Sequence, residues 1–413
     1  MGVEVYEANI KSTDISYSSG IGIRVFLEQK PGISYTERFT KESIFQMLED
    51  AISIAKLSDP LPITLPSFTP VEDIDFQTYN ENLQGVVFDD LVNISLQMEK
   101  ECFELDSRIE NVPYIGASKS FGESIFQNSN NVFYHKKINS ISAYAGVTAK
   151  QNEQKKMGYF GNTFKEKESI NPTQIAKTAV ERGVELLGAS PIPSGRYPVV
   201  FSNRVSASIL GMFLSSYNGE AVLKGLSRLE GKVGQKIASS EFTMICDPHI
   251  VKMPGSRLFD AEGVPTRRKE FVSNGVLIHY LHNLESAYKF NTQPTGNGSR
   301  SYSGKAGTSV TNLIVPLGKF SLEDLLKVHP RCVLITKLEG ASGCSAVSGD
   351  ISIGVQGFLY EKGEKLKPFD KVTLNTNYFD MIQRIEGFSN EYQDVYTSIK
   401  VPDFLVSECY LAS

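Results

Sequence analysis

Apolar residues recur at helical spacing in three stretches of the N-terminal half. In residues 41–57 they are Ile44, Phe45, Leu48, Ala51, Ile52 and Ala55; in 89–105, Leu91, Val92, Leu96, Met98, Cys102 and Phe103; in 175–187, Ile175, Ala179, Val180, Val184 and Leu187. Each set shares one face of a 3.6-residue repeat and predicts an amphipathic helix. Asn171 or Thr173 caps the third, and Gly188 ends it. Alternating or β-branched runs predict strands at 3–10, 14–17, 21–27 and near 34–37. Hairpins follow across 114–138 and 142–160, with Asn128-Ser129-Asn130-Asn131 as a turn. Further on, a strand at 197–201 leads into a helix at 205–217. Strands at 311–315, 333–338, 355–360 and 404–410 then alternate with helices at 321–328 and 378–385, and Glu361-Lys362-Gly363-Glu364 reads as a tight hairpin. Pro-rich breaks at 58–75 and 191–195 divide the chain into 1–75, 76–190 and 191–413. The expected fold class is α+β: antiparallel sheets with flanking helices, two N-terminal α/β modules and a larger β-rich C-terminal domain.

One block, residues 247–298, concentrates unusual chemistry. Asp247-Pro248 ends the strand 242–246 and opens a loop with Arg257, Asp260, Glu262, Thr266 and Arg267 among Gly255, Gly263 and Pro265. Opposed charges this dense point to a surface that grips a ligand or a seam between subunits; the alternative is a solvated loop whose ion pairs contribute little. Runs at 270–272 and 276–281 flank Ser273-Asn274-Gly275, a strong hairpin signal. A short helix at 284–290 and the glycine-rich loop Pro294-Thr295-Gly296-Asn297-Gly298 complete the block.

Composition narrows the partners. The 413 residues carry a net charge of −5, and the pI is near 5.7. The longest basic cluster is Arg267-Arg268-Lys269, so direct contact with nucleic acid is not expected. Five scattered cysteines without a CxxC pair fit free thiols in a reducing compartment. No apolar run is long enough to span a bilayer, and residues 1–11 show no secretory pattern; a cytoplasmic location is expected.

The ordered landmarks Asp247-Pro248-His249, the pattern GSRxFDxEGVxTRR from Gly255, the hairpin ending in NGVLxxYL from Asn274, and PTGNG from Pro294 resemble the TldD/PmbA family. Its members have been described as modulators of DNA gyrase and linked to proteolysis by zinc metallopeptidases. The resemblance implies that a catalytic member carries His-Glu-x-x-x-His on the helix after the first strand of the last domain. There two imidazoles hold zinc and the carboxylate polarises water. The matching window here is Ala207-Ser208-Ile209-Leu210-Gly211-Met212. With Ala207, Ser208 and Met212 at the ligand and base positions, the chain resembles the PmbA/TldE branch.

That resemblance implies no catalytic residue and no metal ligand in this chain. It implies zinc only in a TldD-like partner, a peptide substrate, and a subunit contributing groove and interface; a homodimer is a further expectation for the isolated chain. Arg257, Asp260, Glu262, Thr266, Arg267, Thr295, Gly296 and Asn297 are the groove or interface candidates. Two alternatives stand beside this reading: a stand-alone peptidase with an unrecognised site, and a non-enzymatic regulatory protein acting on DNA gyrase. Other local signals are weaker. His279 and His282, on or at the end of one expected strand, would face opposite ways. His249 is a turn histidine, Cys344 sits in a small-residue loop with no base placed beside it, and the late Cys409 lacks the family ligand's glycine-rich context.

Overall fold

The computed structural model describes residues 1–413. The three long strands Ile109–Gln127, Phe133–Gln151 and Gln154–Phe164 form an antiparallel meander extended at one side by Gly2–Tyr6 and Asn9–Asp14. Alternation decides which face is covered: Ile141, Ala143, Ala145, Val147 and Ala149 point to one side and are buried. The helices Phe88–Leu105 and Pro172–Val184 pack on that face, and Asn171 caps the second through Gln174 N at 3.0 Å. Small residues let helix and sheet approach closely. A Cβ on Gly158 would lie 2.1 Å from Ala179 O, so the contact requires glycine. The edge hairpin turns at Glu7 and Ala8, both with positive φ, whose N–H groups donate to the buried Glu99 carboxylate at 2.8 Å each.

The hairpin Ile21–Leu27/Lys30–Thr36 and the helix Lys41–Leu57 make a small separate layer. Residues 14–17 do not form the expected independent strand. Asp14 closes the strand Asn9–Asp14, and residues 15–20 have no regular structure, with Ile15 and Tyr17 exposed where no neighbour pairs with them.

The C-terminal part is a barrel. Its order is Glu364–Asn377, Asp350–Glu361, Arg331–Glu339, Gly195–Phe201 and Phe404–Ala412. Pairing of Thr373–Asn375 with Tyr410–Ala412 closes it. Gly195–Phe201 and Arg331–Glu339 run parallel, so the domain is mixed rather than purely antiparallel. Beside it lies a second sheet of short strands, Val276–Leu277, Lys269–Ser273, Met244–Cys246, Leu313–Ile314 and Ile399–Lys400. The helix Asn203–Phe213 packs with both, and its first N–H, on Asn203, donates to the buried Asp403 carboxylate at 2.7 Å. One apolar core unites the barrel, the helix and the second sheet. A buried Lys156–Asp370 ion pair joins the meander to the barrel.

Candidate functional site

The charged loop hangs between two short antiparallel strands, Met244–Cys246 and Lys269–Ser273, with Cys246 opposite Lys269. Asn274 and Gly275, with φ of +47° and +79°, make the two-residue turn to Val276–Leu277. This strand stops at Leu277 instead of reaching 281, because the chain leaves the sheet edge to place His282 and the helix Leu284–Lys289. His279 and His282 therefore do not share a strand. His282 Nδ1 meets Ser286 Oγ at 3.2 Å, and the ring packs 5.2 Å from Phe290. Burial, with a smaller repulsion from His279, pushes its pKa down to about 4, which is the signature of a neutral core histidine.

Within the loop, carboxylates face inward. Asp260 Oδ1 accepts from Glu262 N at 2.9 Å and Val264 N at 3.0 Å, while Oδ2 accepts from Gly298 N at 2.7 Å. Burial raises its pKa to about 6, against the pull of those N–H donors. Glu262 Oε2 accepts from Leu284 N at 2.7 Å, and Oε1 accepts from Arg24 Nη1 at 2.6 Å. Thr266 Oγ1 donates to Arg257 O at 2.5 Å and meets His249 Nε2 at 3.1 Å. The imidazole of His249 stacks on Phe76.

The glycine-rich loop closes against the same framework. Thr295 Oγ1 accepts from His282 N at 2.7 Å. Gly296 has φ +71°, and a Cβ there would sit 2.7 Å from Pro265 O. The wholly buried Asn297 accepts from Lys269 Nζ at 3.1 Å and Thr295 Oγ1 at 2.9 Å, and its Nδ2 donates to Ser309 O at 2.9 Å.

Of the eight residues singled out by sequence, Asp260, Glu262, Thr266, Thr295, Gly296 and Asn297 are thus brought together inside the protein, where their polar groups are satisfied by it. Arg267 is exposed and Arg257 partly so. A solvated loop does not describe Asp260 and Glu262, which are buried with hydrogen-bond donors on both oxygens, whereas Arg268 makes exposed pairs with Asp247 and Glu270 at 3.6 Å. Sequence reasoning missed Arg24, Lys269, Cys246 and Asn312. Asn312 donates to Asp247 O at 2.8 Å and Ser256 Oγ at 2.9 Å and accepts from Gly255 N at 2.9 Å. Its signal was a lone amide beside the apolar run Leu313-Ile314-Val315.

The helix Asn203–Phe213 carries the window that the resemblance sets against the family's zinc motif. Ala207 and Met212 are half-buried against the core, and Ser208 is exposed, its Oγ donating to Arg204 O at 3.1 Å. A methyl, a hydroxyl and a thioether do not fit the donor set that zinc requires. No group of three or more His, Cys, Asp or Glu side chains stands where it could hold a metal ion. Cys409 lies in the barrel strand Phe404–Ala412, and burial pushes its thiol up to about 12, an inert form. At the end of this helix opens a pocket of about 270 Å³ lined by Leu214, Asn218, Thr308, Thr311, Ser398 and Ile399.

Known proteins match this architecture along its whole length. Family models described as PmbA/TldA metallopeptidase domain 1, central domain and C-terminal domain match residues 2–55, 81–187 and 194–413. The metalloprotease PmbA homolog of Buchnera aphidicola is 26% identical over 417 residues, covering 99% of this chain and 90% of the relative. The crystal structure of a candidate modulator of a DNA gyrase from Thermotoga maritima superposes with a TM-score of 0.91 at 26% identity, covering 100% of this chain and 93% of that one. TldE from Thermococcus kodakarensis shares the fold, with a TM-score of 0.87 at 22% identity over 100% of this chain and 94% of its own. Matched by all three domains in their order, this chain belongs to the PmbA/TldD metallopeptidase family.

Proposed function

We propose that this chain is the non-metal subunit of a cytoplasmic TldD/TldE-type peptidase system that degrades peptides or trims peptide precursors. A TldD-like subunit supplies the zinc and the attacking water. This chain supplies part of the peptide groove and the partner interface, with Arg257 and Arg267 at the accessible edge of the loop and Asp260, Glu262, Thr295, Gly296 and Asn297 fixing its shape. What supports the reading is the helix Asn203–Phe213, whose Ala207, Ser208 and Met212 offer neither imidazole nor carboxylate at the positions the resemblance sets against the family's motif. Five unpaired cysteines agree with a reducing compartment. The net charge of −5 disfavours direct contact with DNA.

The test is reconstitution. The purified chain is expected to contain no stoichiometric zinc by elemental analysis and to leave unstructured peptides intact. Mixing it with a motif-bearing family member should yield cleavage that a chelator stops. Chelator-sensitive cleavage by the isolated chain would refute the reading.

A further inference from the structure

The loop around residue 257 presents cations that no carboxylate of the protein neutralises. Arg257 Nε and Nη2 are buried and donate to no acceptor. Its backbone is fixed on both sides: Arg257 N donates to Pro248 O at 3.0 Å, and its carbonyl accepts from Thr266 Oγ1 at 2.5 Å. Lys136, on the strand Phe133–Gln151, reaches across from the meander, its Nζ donating to the neighbouring Ser256 O at 2.8 Å. Lys165, just past the next strand, donates only to the carbonyls of Thr78 and Asn139, at 2.8 and 2.6 Å. None of the three takes part in an ion pair. Burial, followed by repulsion from Arg257 and Lys165, pushes the Lys136 ammonium down to about 8. Tyr134 and Phe259, edge to face at 6.1 Å, pack beside this seam between meander and loop.

A guanidinium does not shed its proton, so its burial without an acceptor is a standing cost. The neighbouring buried cations each hold at least one partner: Arg24 pairs with Glu262 although its Nε also lacks an acceptor, and Lys269 donates to Asn297. An unmatched cation set beside them marks a place completed by something absent from the chain. Of the three guanidinium nitrogens of Arg257 only Nη1 is neither buried nor hydrogen-bonded, so an oxyanion meets the group there.

We propose that Arg257, with Lys136 beside it, forms an anion site that takes a carboxylate. Its assignment to a peptide's C-terminus or acidic side chain rests on the peptidase-subunit reading above. The site would hold a peptide by charge at the seam between the two domains, away from the bond being cut.

Two measurements on the full chain test this. First, melting temperature is followed in acetate against chloride at equal ionic strength. The wild type should be stabilised by acetate, and Arg257→Gln should lose that response while being at least as stable as the wild type in chloride, because it removes an unmatched cation. Should Arg257→Gln fail to fold, Lys136→Met takes its place. Second, a fluorescent decapeptide with a free C-terminal carboxylate and no other acid is compared with its C-terminal amide. The carboxylate form should bind about tenfold tighter to the wild type, and within about twofold of the amide in Arg257→Gln. Equal responses to acetate and chloride in the wild type, or an acetate response kept by both variants, would overturn the site. An Arg257-dependent acetate response with neither peptide form bound would keep the site and remove the peptide as its ligand.

Discussion

Arg24 and Glu262 are 238 positions apart in the chain and meet at 2.6 Å, with side chains only 11% and 3% exposed. The pair fastens the N-terminal hairpin to the loop of the C-terminal domain. Glu262→Ala strands the Arg24 cation and takes the acceptor from Leu284 N. We expect a loss of about 3–5 kcal/mol in denaturant unfolding. Arg24→Met combined with Glu262→Met should cost far less, since neither charge is then left alone. Single and double variants of equal stability would show that the pair is not formed.

Stability between pH 4 and 6 reflects opposing groups. Asp260 has its pKa raised to about 6 by burial, so its folded carboxyl holds a proton that the unfolded chain has lost; this contribution falls as pH rises from 3.8 toward 6. His279 and His282 are pushed down to about 4 by burial, the first also by Lys269 and Arg267, the second also by His279; their contribution is present above 6.5 and lost as pH falls toward 4. Asp260→Asn removes one side of this balance. The variant, though less stable throughout, should gain stability more steeply than the wild type as pH rises from 4 to 6, read by urea melts at each pH. Parallel curves would exclude a shifted Asp260.

Asn297, wholly buried, ties its own loop to Lys269, to Ser309 and, through Nδ2 donating to Cys246 Sγ at 3.3 Å, to the strand Met244–Cys246. Asn297→Ala leaves Lys269 Nζ without its acceptor and Ser309 O without its donor. The expected cost is about 2–4 kcal/mol, since each orphaned buried group loses on the order of 1–3 kcal/mol. Asn297→Asp should recover the contact to Lys269 but not the one to Ser309. Hydrogen exchange at Ser309 and its neighbours would separate the two effects.

Gly158 sets how closely the meander approaches its helix. In Gly158→Ala the new methyl would lie 2.1 Å from Ala179 O, so helix Pro172–Val184 must move outward. Overpacking of this kind costs about 1–3 kcal/mol. A melting temperature unchanged from wild type would show that close approach at Gly158 does not limit the packing of this helix.

Local periodicity carried the helices. The repeat of Ile44, Leu48, Ala51 and Ala55 falls on the helix Lys41–Leu57, and Asn274-Gly275 sits at the turn of its hairpin. What was illegible is long-range pairing. Gly2–Glu4 joins Gly116–Ser118, and Phe404 pairs with Phe201, contacts that no short window encodes. The site divides the same way: the density of charge around Asp260 and Glu262 was visible, but its burial was not. Their neutralising partners, Arg24 and the N–H groups of Leu284 and Gly298, come from elsewhere in the chain.

The strand Phe404–Ala412 lies between Gly195–Phe201 and the paired stretch Thr373–Asn375. During synthesis, the barrel therefore waits for residues made after all its other staves. Until they leave the ribosome, two sheet edges remain open to foreign strands, and a nascent chain stalled before Phe404 would be a substrate for chaperones and prone to aggregate. The meander, whose pairing partners are all made by residue 164, has no such wait.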